Sequence, residues 1–234
     1  MEYILDVQDI HTFIGQYHIL QGVNVRVPKG SITALLGRNG AGKTTTLKSI
    51  LGLASPREGK VVFDGREVQG MRPFEIAGMG IGFVPEHRAI FRDLTVEENL
   101  KLAERGKGDY LRKKDFIFDL FPDLQRLIAL PGTSLSGGQQ QMLAIARALV
   151  ADNKLLLIDE PSEGLAPVII ENMMSAIREL SKESTVVLVE QNFLVASQLA
   201  EYYVIIEEGR SVQEGKMKDL VNDKAAIHRY LGAA

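Results

Sequence analysis

Three short stretches of this chain carry residue types at spacings that could do chemistry on phosphate. Gly37-Arg38-Asn39-Gly40-Ala41-Gly42-Lys43-Thr44, with Thr45 after it, fits the pattern of a phosphate-binding P-loop in full. Its glycines let the backbone curl so that amides face an anion, and a helix starting there adds positive potential. Lys43 would reach the β- and γ-phosphates of a nucleoside triphosphate, and Thr44 would offer its hydroxyl to Mg²⁺. The second stretch, Leu155-Leu156-Leu157-Ile158-Asp159-Glu160, is an apolar run closed by two carboxylates. Asp159 could hold Mg²⁺ through water, and Glu160 could orient or polarise a water that attacks the γ-phosphate. Without the first stretch the pair would read as an acidic turn. The third, Leu135-Ser136-Gly137-Gly138-Gln139, offers a capping serine and two amides free of side chains, the make-up of a second anion site and equally of an ordinary helix N-cap.

Each stretch needs elements to aim it. Residues 31–36 predict a buried strand before the first stretch and residues 43–53 a helix after it, which is the setting a P-loop requires. Residues 3–36 as a whole read as strands, with 19–27 alternating in its second half, and further strands are expected at 60–65, 81–84, 155–158, 185–189 and 203–206, alternating late in the chain with helical runs, so that sheet should be mostly parallel. Residues 94–130 read as helical, and Thr95 with Glu98 forms a capping box. The helix after Gly138 carries Met142, Ile145, Ala146 and Leu149 at helical spacing, a core-facing stripe. The expected fold is α/β: a mostly parallel core sheet, an N-terminal antiparallel β portion and a helical subdomain. We read residues 1–234 as one domain, with 1–86 and 151–234 forming the core with its β portion and 87–150 the helical subdomain.

Composition narrows the function. The chain has 234 residues, 45% apolar and 24% charged, which are ordinary globular values. A formal net charge of -3 leaves no basic excess to neutralise a nucleic-acid backbone, so no nucleic-acid partner is expected. Cysteine is absent, which removes disulfides, thiolate metal sites and cysteine nucleophiles. His11, His18, His87 and His228 lack the spacing of a metal helix. The first residues do not resemble a secretory signal, and the apolar runs are far shorter than the roughly 20 residues that span a bilayer. The expected location is therefore cytoplasmic, with any membrane role exercised through partner subunits.

In this order, the P-loop, Leu-Ser-Gly-Gly-Gln and the strand ending in Asp-Glu resemble an ABC ATPase over essentially the whole chain. The resemblance implies a P-loop NTPase cassette that pairs head to tail with a second ABC ATPase subunit. Ser136 and Gly138 would then clasp, in trans, the γ-phosphate of ATP held by the partner's P-loop. Val84-Pro85-Glu86-His87-Arg88, Val96-Glu97-Glu98-Asn99-Leu100, Glu160-Pro161-Ser162-Glu163-Gly164-Leu165-Ala166-Pro167 and Leu188-Val189-Glu190-Gln191-Asn192 are similar to branched-chain amino-acid transporter ATPases of the shorter, LivF-like kind.

That resemblance implies an ATP-hydrolysing importer subunit at the cytoplasmic face of the cell membrane. Its partners would be two integral membrane permeases, a second and different cassette and, indirectly, an extracytoplasmic substrate-binding protein. ATP and Mg²⁺ would be its cofactors, with Lys43, Glu160 and Gln191 catalytic and Thr44, Asp159 and Glu86 at the metal. Three positions depart from the general ABC pattern. Glu86 stands where a glutamine usually touches Mg²⁺, Ala166 where aspartate is common, and Gln191 where a histidine usually contacts the γ-phosphate. Glutamine can hydrogen-bond a phosphate but cannot carry a histidine's charge or proton. Otherwise Glu86 and Gln191 are polar loop residues. The adenine-stacking aromatic of the family precedes the glycine matching Gly15, where this chain has Ile14. Phe13 and Tyr17 stand nearby as substitutes or as core packing. Other readings are the same motor for urea, short amides or other amino acids, a non-transport ABC switch, and a non-hydrolysing structural subunit.

Overall fold

The computed structural model describes residues 2–232. Strands β1 (Tyr3–Ile14) and β2 (Tyr17–Pro28) pair antiparallel around a tight turn, and the alternation in β2 buries Val23, Val25 and Val27 while Asn24 and Arg26 face outward. Strand β3 (Ile32–Leu36), buried throughout, leads into α1 (Lys43–Ile50). That helix is shorter than the run 43–53 predicts. It stops at Leu51, and Gly52 then turns the chain at φ 71°. Strands β4 (Glu58–Phe63) and β5 (Arg66–Glu67) return to the N-terminal hairpin, giving a four-stranded antiparallel sheet ordered β2-β1-β4-β5.

Helix α2 (Pro73–Gly78) and strand β6 (Ile81–Val84) follow. Up to the next strand the regular elements are all helical, joined by loops: α3 (Val96–Lys101), α4 (Asp109–Leu120), α5 (Pro122–Arg126) and α6 (Gly137–Leu149), with a short 3-10 turn at Gly132–Ser134. The expected helical run is broken into three for visible reasons. The Asp109 carboxylate accepts the amides of Gly106 and Arg105 at the start of α4, and Pro122 cannot continue α4 into α5. Thr95 and Glu98 make the capping box reciprocally. The stripe on α6 is buried at Ile145, Ala146 and Leu149, with Met142 half-buried beside it.

Strand β7 (Leu155–Asp159), α7 (Pro167–Leu180), β8 (Thr185–Glu190), α8 (Phe193–Leu199), β9 (Tyr202–Glu207), β10 (Arg210–Lys216) and α9 (Met217–Asn222) complete the core. The second sheet runs β10-β9-β3-β8-β7-β6 and is parallel except for β10. Its strands are apolar on both faces because both faces are covered. Leu155, Leu157, Val187 and Val189 pack toward the antiparallel sheet and α1, whereas Leu156, Ile158, Val186 and Leu188 pack toward α6, α7 and the other helices. Each such fully buried side chain contributes about 1.5–3 kcal/mol. Two cores thus clamp one sheet, and the carboxyl ends of β3, β8 and β7 lie side by side.

Candidate active site

Register fixes the neighbourhood. Leu36 at the end of β3 pairs with Glu190 at the end of β8, and Val189 pairs with Asp159 at the end of β7. Open parallel sheets gather ligands at such strand ends. The loop from Gly37 to Gly42 leaves β3 there. Gly37 has φ 150°, and a Cβ on it would run into the carbonyl oxygen of Ile206. Gly42 caps α1 at φ 110° with no side chain bonded to the first amides, so they are left for another acceptor.

A cleft of about 420 Å³ opens over this loop, lined by Ile19, Asn39, Gly40, Gly42, Lys43, Thr44, Thr45, Glu86, Glu160 and Glu163. Buried Lys43 reaches back over the loop. Its ammonium donates to the carbonyls of Gly37 at 3.0 Å and Arg38 at 3.3 Å, and pairs with Glu160 Oε1 at 3.0 Å. Glu160 itself sits at φ 44°, an uncommon conformation for a side chain of this size, and its amide donates to Val189 O at 3.0 Å. Thr44 Oγ1 donates to Asp159 Oδ1 at 3.3 Å. The other carboxylate oxygen of Asp159 is buried without a partner. Burial pushes the Asp159 carboxyl up to about 6; the Thr44 hydrogen bond opposes this, and Glu160 and Glu86 add to it.

These residues fit a Mg²⁺ ion. Such a cation takes hard oxygen ligands, uses few carboxylates and keeps the rest of its shell for phosphate and water. Thr44 and Asp159 supply two oxygen groups in contact, and the orphaned Asp159 oxygen is a buried acceptor with nothing to accept from.

Other residues read from the sequence lie elsewhere. Gly37 and Ala41 are buried inside the turn, and Arg38 points away, donating to the carbonyl of Arg229 at 3.1 Å. Ser136 and Gly138 are not in the cleft. Ser136 caps α6 from an exposed position, accepting the amide of Gln139 at 3.3 Å while Gln139 Oε1 accepts the amide of Ser136 at 2.9 Å. Gln191 is exposed just after β8 and does not line the cleft. The Phe13 ring is engaged: His18 stacks on it at 4.2 Å and the Arg57 guanidinium lies over it at 4.2 Å. Tyr17 is 67% exposed.

Ile19, Glu163 and Arg88 were given no role at the site from the sequence: Glu163 and Arg88 lie inside stretches that carry the resemblance, and Ile19 reads only as part of a strand. Arg88 and Ala89 both have positive φ, 62° and 49°, and the Arg88 Nε donates to Gln141 Oε1 at 3.3 Å with its guanidinium against Gly137. The loop after Glu86 is thereby tied to the start of α6.

With this geometry in view, comparison with known proteins assigns the family. A family model described as ABC transporter matches residues 20–163. The chain belongs to the ABC transporter family. This cassette is 40% identical over 232 residues to the high-affinity branched-chain amino acid transport ATP-binding protein BraG of Pseudomonas aeruginosa, covering 98% of this chain and 100% of that one. It is 37% identical over 210 residues to the probable branched-chain amino acid transport ATP-binding protein LivF of Archaeoglobus fulgidus, covering 88% and 89%. Among solved structures, the ADP conformation of an ATP-binding cassette of an ABC transporter superposes with a TM-score of 0.86 at 25% identity, over 100% of both chains. Among the described residues, no helix of the cassette is long and apolar enough to cross a membrane.

Proposed function

We propose that the cassette binds MgATP in the cleft over residues 37–45, hydrolyses it with Glu160, and uses the cycle to drive uptake of branched-chain amino acids. The observation that carries this reading is the ion pair of buried Lys43 with Glu160 beside the unpartnered oxygen of Asp159. Phosphate oxygens compete with Glu160 for the Lys43 ammonium. As ATP enters, Lys43 turns to the β- and γ-phosphates and Glu160 is released to polarise the attacking water. The free amides at the start of α1 receive the phosphates as well. Thr44 and Asp159, with Glu86 at the rim, would hold Mg²⁺, which neutralises charge on the phosphate oxygens. With Phe13 already covered, Tyr17 is the aromatic left to meet adenine.

The domain assignment follows the same division: residues 1–86 and 151–234 grip nucleotide, and 87–150 form a helical lever that carries Ser136 and Gly138. Those two residues do not line their own cleft, which supports a clasp on ATP bound by a second cassette. The likeness to BraG and LivF, both branched-chain amino acid transport ATP-binding proteins, supports this cargo. By the same token we place the chain at the cytoplasmic face of the cell membrane, beside a second, different cassette and two permeases, with a substrate-binding protein on the far side.

The test is a pair of variants. Lys43→Ala should nearly abolish ATP binding. Glu160→Gln should stop phosphate release while keeping ATP affinity equal to wild type or a few-fold tighter, because Lys43 loses the carboxylate that competes with phosphate. Normal turnover in Glu160→Gln, or loss of its ATP binding, contradicts these roles.

A further inference from the structure

Glu190 ends β8, one residue before Gln191, and is only 2% exposed. Its carboxylate gathers three hydrogen bonds from two loops. Oε1 accepts from the Ser162 amide at 3.2 Å, and Oε2 accepts from the Ser162 hydroxyl at 2.9 Å and from the Asn192 amide at 3.3 Å. Ser162 is two residues past Glu160, and Asn192 is the residue after Gln191. One buried carboxylate therefore ties the loop of Glu160 to the loop of Gln191. Backbone bonds reinforce the place, because Glu190 pairs with Leu36 at the mouth of the P-loop and the Glu160 amide is held by Val189 O.

A buried carboxyl is an expensive way to end a core strand, and an apolar residue would close β8 at lower cost. Burial pushes this group up to about 7, against the pull of the Ser162 and Asn192 hydrogen bonds. The cost is met where both loops must hold one geometry.

We propose that Glu190 is a positioning residue for hydrolysis, fixing the loop that follows Glu160 against the loop of Gln191 so that the polarising carboxylate stays aimed into the cleft. This rests on the reading of Glu160 as the polarising group. Glu190 touches neither nucleotide nor water in this account; it acts through Ser162 and Asn192. Glutamine can preserve most of the tie, since its oxygen accepts the Ser162 amide and its amide donates to the Ser162 hydroxyl, leaving only the Asn192 amide unmet. Alanine removes all three bonds.

The experiment is steady-state ATPase of the full chain against MgATP concentration for wild type, Glu190→Ala, Glu190→Gln, Ser162→Ala, the Ser162→Ala/Glu190→Gln double variant and Glu160→Gln. Glu190→Ala should lower kcat at least tenfold with KM for ATP within twofold of wild type, and Glu190→Gln should keep kcat within about threefold. Ser162→Ala should lower kcat several-fold at unchanged KM. The double variant should be no slower than its slower parent, because both changes cut one link. If Glu190→Ala fails to fold, Ser162→Ala and the double variant decide. A kcat within twofold of wild type for Glu190→Ala, equal losses in Glu190→Ala and Glu190→Gln, or fully multiplicative losses in the double variant overturns the proposal. Normal turnover in Glu160→Gln removes the reading of Glu160 itself, whereas an inactive Glu160→Gln beside a fully active Glu190→Ala removes only the role of Glu190.

Discussion

Lys43, Asp159, Glu160 and Glu190 are all largely or wholly shielded from solvent within one patch of strand ends, and only one of the four is a cation. That imbalance is the electrostatic character of the site: it holds more acceptors than it can satisfy, so it calls for cationic and donor groups. It also makes stability depend on pH. Glu190 has a folded value near 7 against an ordinary 4.5, so the fold keeps a proton that the unfolded chain has already lost. Its favourable contribution is complete below about pH 4.5 and is lost as pH rises through about 7. Glutamine at this position cannot titrate. The stability of Glu190→Gln relative to wild type should therefore improve between about pH 5 and 8 by about 1–3 kcal/mol, read as the difference in Tm at each pH. A difference that stays flat across that range contradicts the burial effect. Lys43, Asp159 and Glu160 were legible in the sequence because each lies inside a short contiguous pattern. The tie made by Glu190 was not: Glu190 and Ser162 each lie inside a quoted stretch, but they are 28 residues apart and no local spacing announces the pair.

At the scale of elements, helix α6 carries two readings of one serine. As an N-cap, Ser136 satisfies an amide of the first turn, and Gln139 reciprocates. Ser136→Ala should cost about 1 kcal/mol in urea denaturation while leaving ATP affinity of the isolated chain unchanged. A stability loss under about 0.3 kcal/mol would leave the cap without energetic weight, and a large drop in the affinity of the isolated chain would mean that Ser136 serves its own cleft. Strands β3, β7 and β8 were readable because a strand buried on both faces writes itself as an unbroken apolar run. Strand β10 was not, since Arg210–Lys216 is an edge with exposed and half-buried residues alternating, made a strand by pairing with β9. Likewise α2 is a six-residue turn opened by Pro73 with little apolar pattern, and the end of α1 was set by Gly52. Local rules found the elements that carry the site, and tertiary pairing supplied those that frame it.

At the scale of the whole molecule, the cleft and the signature at the start of α6 belong to one chain but do not meet within it. In the proposed function, ATP joins them across two cassettes and hydrolysis separates them again. Sedimentation velocity with and without MgATP tests this most directly, using Glu160→Gln to hold ATP uncleaved and adding Ser136→Arg to that background, each alone and mixed with the cassette that co-purifies from native membrane. Glu160→Gln should move from monomer to dimer only when MgATP is present. The variant that also carries Ser136→Arg should bind ATP but stay monomeric, because the new side chain occupies the partner's phosphate site. A Ser136→Arg variant that still dimerises with MgATP, or a Glu160→Gln protein that binds ATP and remains monomeric in both arrangements, would contradict it.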